Sequence, residues 1–315
     1  MVSEVTPLTT TAVVRSALRG RRSSLGGFAF EVGLLLMLLV SLMFLATLLV
    51  DVFAKGWGVL TNRGWDFVSS PLSLNEASAG VWQSVTGSLA LTAFVAVVAF
   101  PIGIGAAVYL EEYAPATRFT RFVNTNIRNL AGVPSIVYGL LGLVVFVRFL
   151  DVVGAGGAVG GRNVLAGGLT LAALVLPIVI ITTAEALRAV PSTIREAGFG
   201  VGATRWEVVR HHVLPAAAPG ILTGTVLTLA RAFGETAPLL LVGAATGFFT
   251  TGSAGMLDRV VGPYTALPVT IFSWTRQPSA EFRELTAAAI IVLLVVLLSA
   301  NATAIILRNR YERKW

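Results

Sequence analysis

The stretch ILTGTVLTLARAFGETAPLLLVG, Ile221 to Gly243, decides how often this chain crosses a membrane. It has the length and apolarity of a span except for Arg231 and Glu235, set near its middle. Crossing about 30 Å of hydrocarbon at about 1.5 Å per residue takes about 20 apolar residues. An arginine at the centre of such a helix costs about 2.5–3.5 kcal/mol on insertion scales, and intramembrane charges ordinarily face a partner, a cavity or a substrate path. The stretch is therefore accepted as a span whose charged pair has a purpose.

Five uncharged windows supply the other spans: residues 32–50, the part of 77–110 near 86–110, and residues 129–147, 163–184 and 285–307. Composition agrees, with 55% hydrophobic and 12% charged residues over 315 positions, against about 25% charged in a soluble domain. The expected class is an all-α polytopic membrane protein with six transmembrane helices. If the N-terminus lies inside, fifteen of the 23 Lys and Arg fall in cytoplasmic segments and seven in outer loops, a bias that favours N-in and C-in.

One segment tests that count. VVGPYTALPVTIFSWT, residues 260–275, is uncharged but short, and it holds Pro263 and Pro268. As a seventh span it would put the basic tail RNRYERKW outside, so it is expected to be a re-entrant or interfacial piece on the outer side. The net charge of +7 sits in residues beside spans, which accounts for it as topology signal and lipid-headgroup contact rather than nucleic-acid binding. The absence of cysteine excludes disulfides and thiolate chemistry. The first apolar run is too long for a signal-peptide core and lacks a small-residue cleavage site, so it reads as an anchor.

The longest cytoplasmic loop is EALRAVPSTIREAGFGVGATRWEVVRHHVLPAAAPG, Glu185 to Gly220. Thr193 with Glu196, and Thr204 with Glu207, have the spacing of capping boxes, in which a hydroxyl and a carboxylate satisfy exposed backbone N–H groups reciprocally. They predict two short helices. Gly198, Gly200 and Gly202 between them permit a sharp change of direction, and Leu214-Pro215 with Pro219 is expected to end the second helix before the fifth span. The product is an elbow on the inner surface, suited to sit in a partner's groove.

From Glu196 to Pro215 the loop resembles the EAA loop of permease subunits in ABC-type importers, whose pattern is E-A-A, three residues, G, nine residues, I-x-L-P. Glu196, Ala197, Gly202, Leu214 and Pro215 match; Gly198 stands where the family has alanine and His212 where it has isoleucine. NIRNLAGVPSIVYGLLGL (126–143), LARAFGETAPLLLVG (229–243) and YTALPVTIFSWT (264–275) are similar to the phosphate-importer branch, specifically its A-type (PstA-like) permeases, over most of the chain from about residue 80. The resemblance implies a type I importer fold and a coupling helix that docks on a separate ATPase. It implies as partners a homologous second permease (PstC-like), two ATPase subunits (PstB-like) and an external phosphate-binding protein (PstS-like). ATP and Mg would be bound by the ATPase; no cofactor is expected in this chain, whose sequence contains no nucleotide-binding motif, and no catalytic or metal site is expected. The expected divisions are a basic N-terminal tail at 1–27, the first span and an outer loop at 28–80, the importer domain at 81–308 with coupling helices at 191–214, and a basic tail at 309–315.

Arg231 and Glu235 are four residues apart and would share one helix face. Arginine offers a planar fork of donors that suits phosphate oxygens, and a glutamate can accept the proton that hydrogen phosphate carries and sulfate lacks. Two readings stand side by side: a substrate-pathway site, or a buried ion pair with Thr236 that fixes helix packing. The resemblance implies the first. Sulfate or molybdate permeases share the elbow and form an alternative. An ion-coupled carrier is a more distant one, since no internal repeat is visible. His211 and His212 are adjacent, without an acidic or histidine cluster, and Gly-rich 151–162 lacks the lysine-serine ending of a phosphate loop; it reads as an outer turn.

Overall fold

The computed structural model describes residues 25–155, 160–244 and 262–311, and every regular element among them is helical. In chain order these are α1 (Leu25–Ser69), α2 (Trp82–Val108), α3 (Arg118–Ala131), α4 (Ser135–Gly142), α5 (Arg148–Val152) and α6 (Val164–Arg188). There follow α7 (Ser192–Gly200), α8 (Arg205–Val208), α9 (Leu214–Gly234), α10 (Ala237–Val242), α11 (Leu267–Trp274) and α12 (Ala280–Tyr311). Five-residue π-turns at Tyr109–Tyr113, Leu143–Val147 and Val209–Val213 extend α2, join α4 to α5 and join α8 to α9. Among the described residues six stretches are long and apolar enough to cross a membrane: Gly26–Ser69, Trp82–Tyr113, Ser135–Val152, Val164–Arg188, Arg205–Gly234 and Ala280–Ile306. The expected six spans are present.

Two compact units divide the chain, Met1–Val52 and Phe53–Trp315. In the described part of the first, large apolar side chains from Phe28 to Val50 are exposed, the pattern of a helix whose solvent is lipid. The expectations for residues 1–24 and for the extreme C-terminus, 312–315, lie outside the described residues.

The second unit is organised on α6. Small residues bring backbones together there, as is usual where lipid supplies no hydrophobic drive. A methyl at Gly103 of α2 would lie 2.7 Å from Val179, and one at Gly224 of α9 would lie 2.6 Å from Thr182. Leu91, Val95, Leu171, Leu174, Val175, Leu239 and Val269 fill the main core. A second cluster gathers α11 and α12, with Trp274 between Phe67 (ring centroids 6.4 Å apart) and Phe282 (5.8 Å).

Four local expectations are corrected. The third span is Ser135–Val152 rather than 129–147, because Pro134 starts a new helix and residues 118–131 form α3, an amphipathic helix of its own. Tyr138 holds α3 and α4 together by donating its hydroxyl hydrogen to the Leu130 carbonyl at 2.9 Å. Pro215 and Pro219 do not end the elbow; the helical path runs unbroken from Arg205 to Gly234. Leu214 N–H bonds back five residues to Val209 O in the π-turn, and Pro215 falls in the first turn of α9, where a missing N–H is harmless.

The opening stretch, Ile221 to Gly243, is not one helix. It stops at Gly234, Glu235 is extended (φ −73°, ψ 128°), and α10 restarts at Ala237. Pro238 cannot donate to residue 234 and its ring would crowd that carbonyl, so a helix cannot continue through it. Of the four first-elbow capping groups, Thr193 and Glu196 form no box: Pro191 precedes α7 and no side chain caps it. Thr204 and Glu207 do form theirs, with Thr204 N–H on Glu207 Oε2 at 2.8 Å and Glu207 N–H on Thr204 Oγ1 at 3.4 Å.

Among the described residues of 260–275 there is no seventh span. Within the described part, α11 is eight residues long, about 12 Å at the helical rise. It is packed in by hydroxyl bonds: Leu267 N–H donates to Ser88 Oγ at 2.8 Å, and Ser84 and Thr270 hydroxyls meet at 2.7 Å.

Candidate functional site

The sequence-selected residues fall at two places, the elbow and the helix break. At the elbow, Glu196 and Ala197 are exposed on α7 and Gly198 is buried. A methyl on Gly198 would lie 2.7 Å from Val208 Cγ2, so glycine lets α7 close onto α8. Gly202 has φ +83°, a conformation a side chain resists, and it turns the chain between the two helices. His212 is exposed in the π-turn while its neighbour Val213 is fully buried; the core is therefore served by valine and the histidine does not disturb it. Phe199, Val201 and Trp206 stand out at 48%, 85% and 55% exposure, making an apolar tip on a base packed from Leu187, Val190, Val208, Val213, Ala217 and Ile221.

Sequence reasoning missed what holds that base. Glu111 and Glu112, in the π-turn ending α2, grip both sides of the turn from α6 to α7. Arg188, the last residue of α6, donates its Nε hydrogen to Glu111 Oε2 at 2.9 Å. Arg195 of α7 donates to Glu112 Oε1 from Nη2 at 2.6 Å and from Nε at 3.2 Å. It also donates to Leu187 O at 2.9 Å and Val190 O at 2.8 Å, closing the C-terminal end of α6. Two adjacent acids at a span's end, LEEY, were the available signal; Arg188 and Arg195 had been counted only as topology charges.

At the break, Arg231 lies in the last turn of α9 and Glu235 just beyond it. They approach at Nε to Oε1, 3.4 Å, with the arginine side chain 49% exposed and the glutamate side chain 14% exposed. That is longer than the ~2.7–2.9 Å of a strong charged hydrogen bond. Thr236 is half-buried; its carbonyl accepts from Leu240 N–H at 3.1 Å, and among the described residues its hydroxyl joins no bond to the pair. The expected geometry, two residues on one helix face, is replaced by an arginine on the helix and a carboxylate on extended backbone. Close packing fixes the far side of the break, since a methyl at Gly139 of α4 would lie 2.6 Å from Pro238 Cα.

The elbow and the break are the two ends of one helical path. Leu214 is half-buried and Pro215 exposed near its elbow end, and Arg231 is three residues from its other end at Gly234. That path is about 45 Å long at about 1.5 Å per residue. Among the described residues no group of His, Cys, Asp or Glu is arranged to hold a metal ion.

Comparison with known proteins agrees with this architecture. Residues 99–313 match the family described as "Binding-protein-dependent transport system inner membrane component". The chain is 36% identical over 272 residues to "Phosphate transport system permease protein PstA 1" of Mycobacterium tuberculosis (strain CDC 1551 / Oshkosh), covering 85% of this chain and 84% of that protein. It is 34% identical to "Phosphate transport system permease protein PstA" of Yersinia pestis, covering 82% and 85%. Its fold is shared with a bacterial alginate ABC transporter solved in complex with an alginate pentasaccharide-bound periplasmic protein, at a TM-score of 0.63 and 17% identity over 88% of this chain and 92% of that one. The six spans, the braced elbow and these likenesses lead to one conclusion: the chain belongs to the family of inner-membrane permease components of binding-protein-dependent ABC importers, a transport subunit and not an enzyme.

Proposed function

We propose that this chain is one permease half of an ATP-driven importer of inorganic phosphate. The observation that carries the reading is the exposed elbow Glu196–Pro215, rigidly seated on α2, α6 and α9, in a chain whose relatives over four fifths of its length are named phosphate permeases. A second permease completes the pathway, two ATPase subunits bind ATP and Mg and receive the elbows, and an external binding protein delivers phosphate. The termini and the elbow lie inside and the loop 70–81 outside, following the distribution of Lys and Arg.

Arg231 supplies the fork for an oxyanion and Glu235 the acceptor for its proton. The pair's looseness supports that role: a half-exposed guanidinium held at 3.4 Å can exchange its partner for phosphate. Proteoliposomes holding the full complex test the proposal. ATP-dependent, binding-protein-dependent uptake of labelled phosphate over sulfate is expected, and uptake without ATP or a preference for sulfate overturns it. The orientation is read in the same membranes: Leu74→Cys is labelled by an impermeant thiol reagent from outside and Val201→Cys from inside only, the native chain having no cysteine.

A further inference from the structure

We infer that Glu112 and Arg195 are positioning residues for coupling: they latch α7 to the inner ends of α2 and α6, so that a push on the elbow moves those spans instead of bending the turn between them. The inference rests on the reading of the elbow as an ATPase dock.

The α6–α7 connection is only Ala189 to Pro191, and a short turn alone is a hinge. The structure closes that hinge at both sides. Adjacent acids on an ordinary helix point about 100° apart; the wider π-turn at Tyr109–Tyr113 lets Glu111 reach Arg188 at the end of α6 while Glu112 reaches Arg195 in the first half of α7. Arg195 spends all three guanidinium nitrogens: Nε on Glu112, Nη1 on Val190 O and Nη2 on both Glu112 and Leu187 O. One side chain thus touches α7, the π-turn and the last turn of α6. The Glu112 side chain is 7% exposed and that of Arg195 22%, so water neither screens nor competes for the contact as it does for surface pairs.

The outer pair is different in kind. Arg188 is 47% exposed, and its contact is a brace beside the latch. A lysine at 195 would keep the charge yet cannot span three acceptors in a plane, which makes the fork, rather than the charge, the part that transmits force.

The test is the ratio of phosphate transported to ATP hydrolysed, measured on the purified full complex in proteoliposomes for Arg195→Lys, Glu112→Gln and the double change Glu112→Leu with Arg195→Met. The double change replaces the pair by apolar side chains and protects against loss of assembly from a lone buried charge. ATP hydrolysis is expected to persist and lose its dependence on loaded binding protein, while transport per ATP falls about tenfold or more in each variant that assembles. A purely structural pair would lower hydrolysis and transport together, in proportion to the amount of complex; that result, or an unchanged ratio in any of the three, overturns the latch. Loss of assembly in all three overturns it too, since the pair would then serve the fold. If the native complex shows no ATP-dependent uptake, it is the importer reading that has failed.

Discussion

Two of the arginine–glutamate pairs in this chain, Arg195 with Glu112 and Arg231 with Glu235, are built in opposite ways. At the elbow, Arg195 meets Glu112 at 2.6 Å, adds two backbone carbonyls, and leaves the carboxylate side chain 7% exposed. At the helix break, Arg231 comes only to 3.4 Å from Glu235 and keeps half its side chain exposed. Charges removed from water hold their place only when further hydrogen bonds satisfy them; the first pair has those bonds and, among the described residues, the second lacks them. Tightness marks a joint that must not yield. On the proposed reading, looseness in a segment where a charge is expensive marks a place where another anion can enter.

The largest effect expected from breaking this contrast lies at the exposed face of the elbow. Glu196→Lys reverses a charge on α7 that no neighbour in the chain needs for packing, since the residue is exposed. Phosphate uptake should fall to background while the permease still inserts and accumulates. Co-purification of the ATPase subunits and uptake into vesicles measure it; a variant that retains both shows that the elbow's exposed face is not the dock.

The next effect is at the break. Arg231→Lys removes the bidentate fork, and a lost hydrogen bond to a charged group is worth about 1.5–3 kcal/mol, so phosphate uptake should drop about ten- to hundredfold with assembly intact. Glu235→Gln keeps size and removes the charge; the preference for phosphate over sulfate should narrow by about fivefold, the worth of roughly one ordinary hydrogen bond. Labelled phosphate and sulfate uptake, in a strain without other phosphate importers, reads both. Full phosphate uptake by the double change Arg231→Met with Glu235→Leu would remove the pathway role from both residues and leave the pair as structure alone.

What could be read in the sequence follows the range of the interactions. Six spans were legible because hydrocarbon thickness sets a length that a single window reveals, and the Thr204–Glu207 cap because both partners are three residues apart. Pro238 is the local signal of the break after Gly234, and it sits inside an apolar run long enough to read as one span. The continuity through Pro215 was hidden because a π-turn, which no local pattern announces, absorbs the proline. Glu112 and Arg195 are 83 residues apart, and nothing in either segment names the other. The failed Thr193–Glu196 box has the opposite lesson: Pro191 already begins the turn of α7, leaving the carboxylate free for the surface.

The smallest effect sharpens the claim that the elbow is rigid. The importer family's pattern has alanine where this chain has Gly198, yet a methyl there would fall 2.7 Å from Val208 Cγ2 and 3.3 Å from Cγ1, and Val208 is 1% exposed. Glycine and valine thus fit each other, one residue small because the other is branched. Inserting a methyl into a filled contact costs about 1–3 kcal/mol, less where the neighbour can shift. Gly198→Ala should lower the apparent melting temperature of the purified complex by a few degrees, on the scale of about 2–4 °C per kcal/mol for larger domains. Uptake should fall no more than about twofold, because the exposed tip and the Arg195 contacts are untouched. Adding Val208→Ala in the same chain should return most of the loss, a recovery that two independent sites would not show. A single Gly198→Ala change with an unaltered melting temperature would mean that α7 and α8 are loosely joined, and the contrast between a fixed elbow and a yielding break would lose its first half.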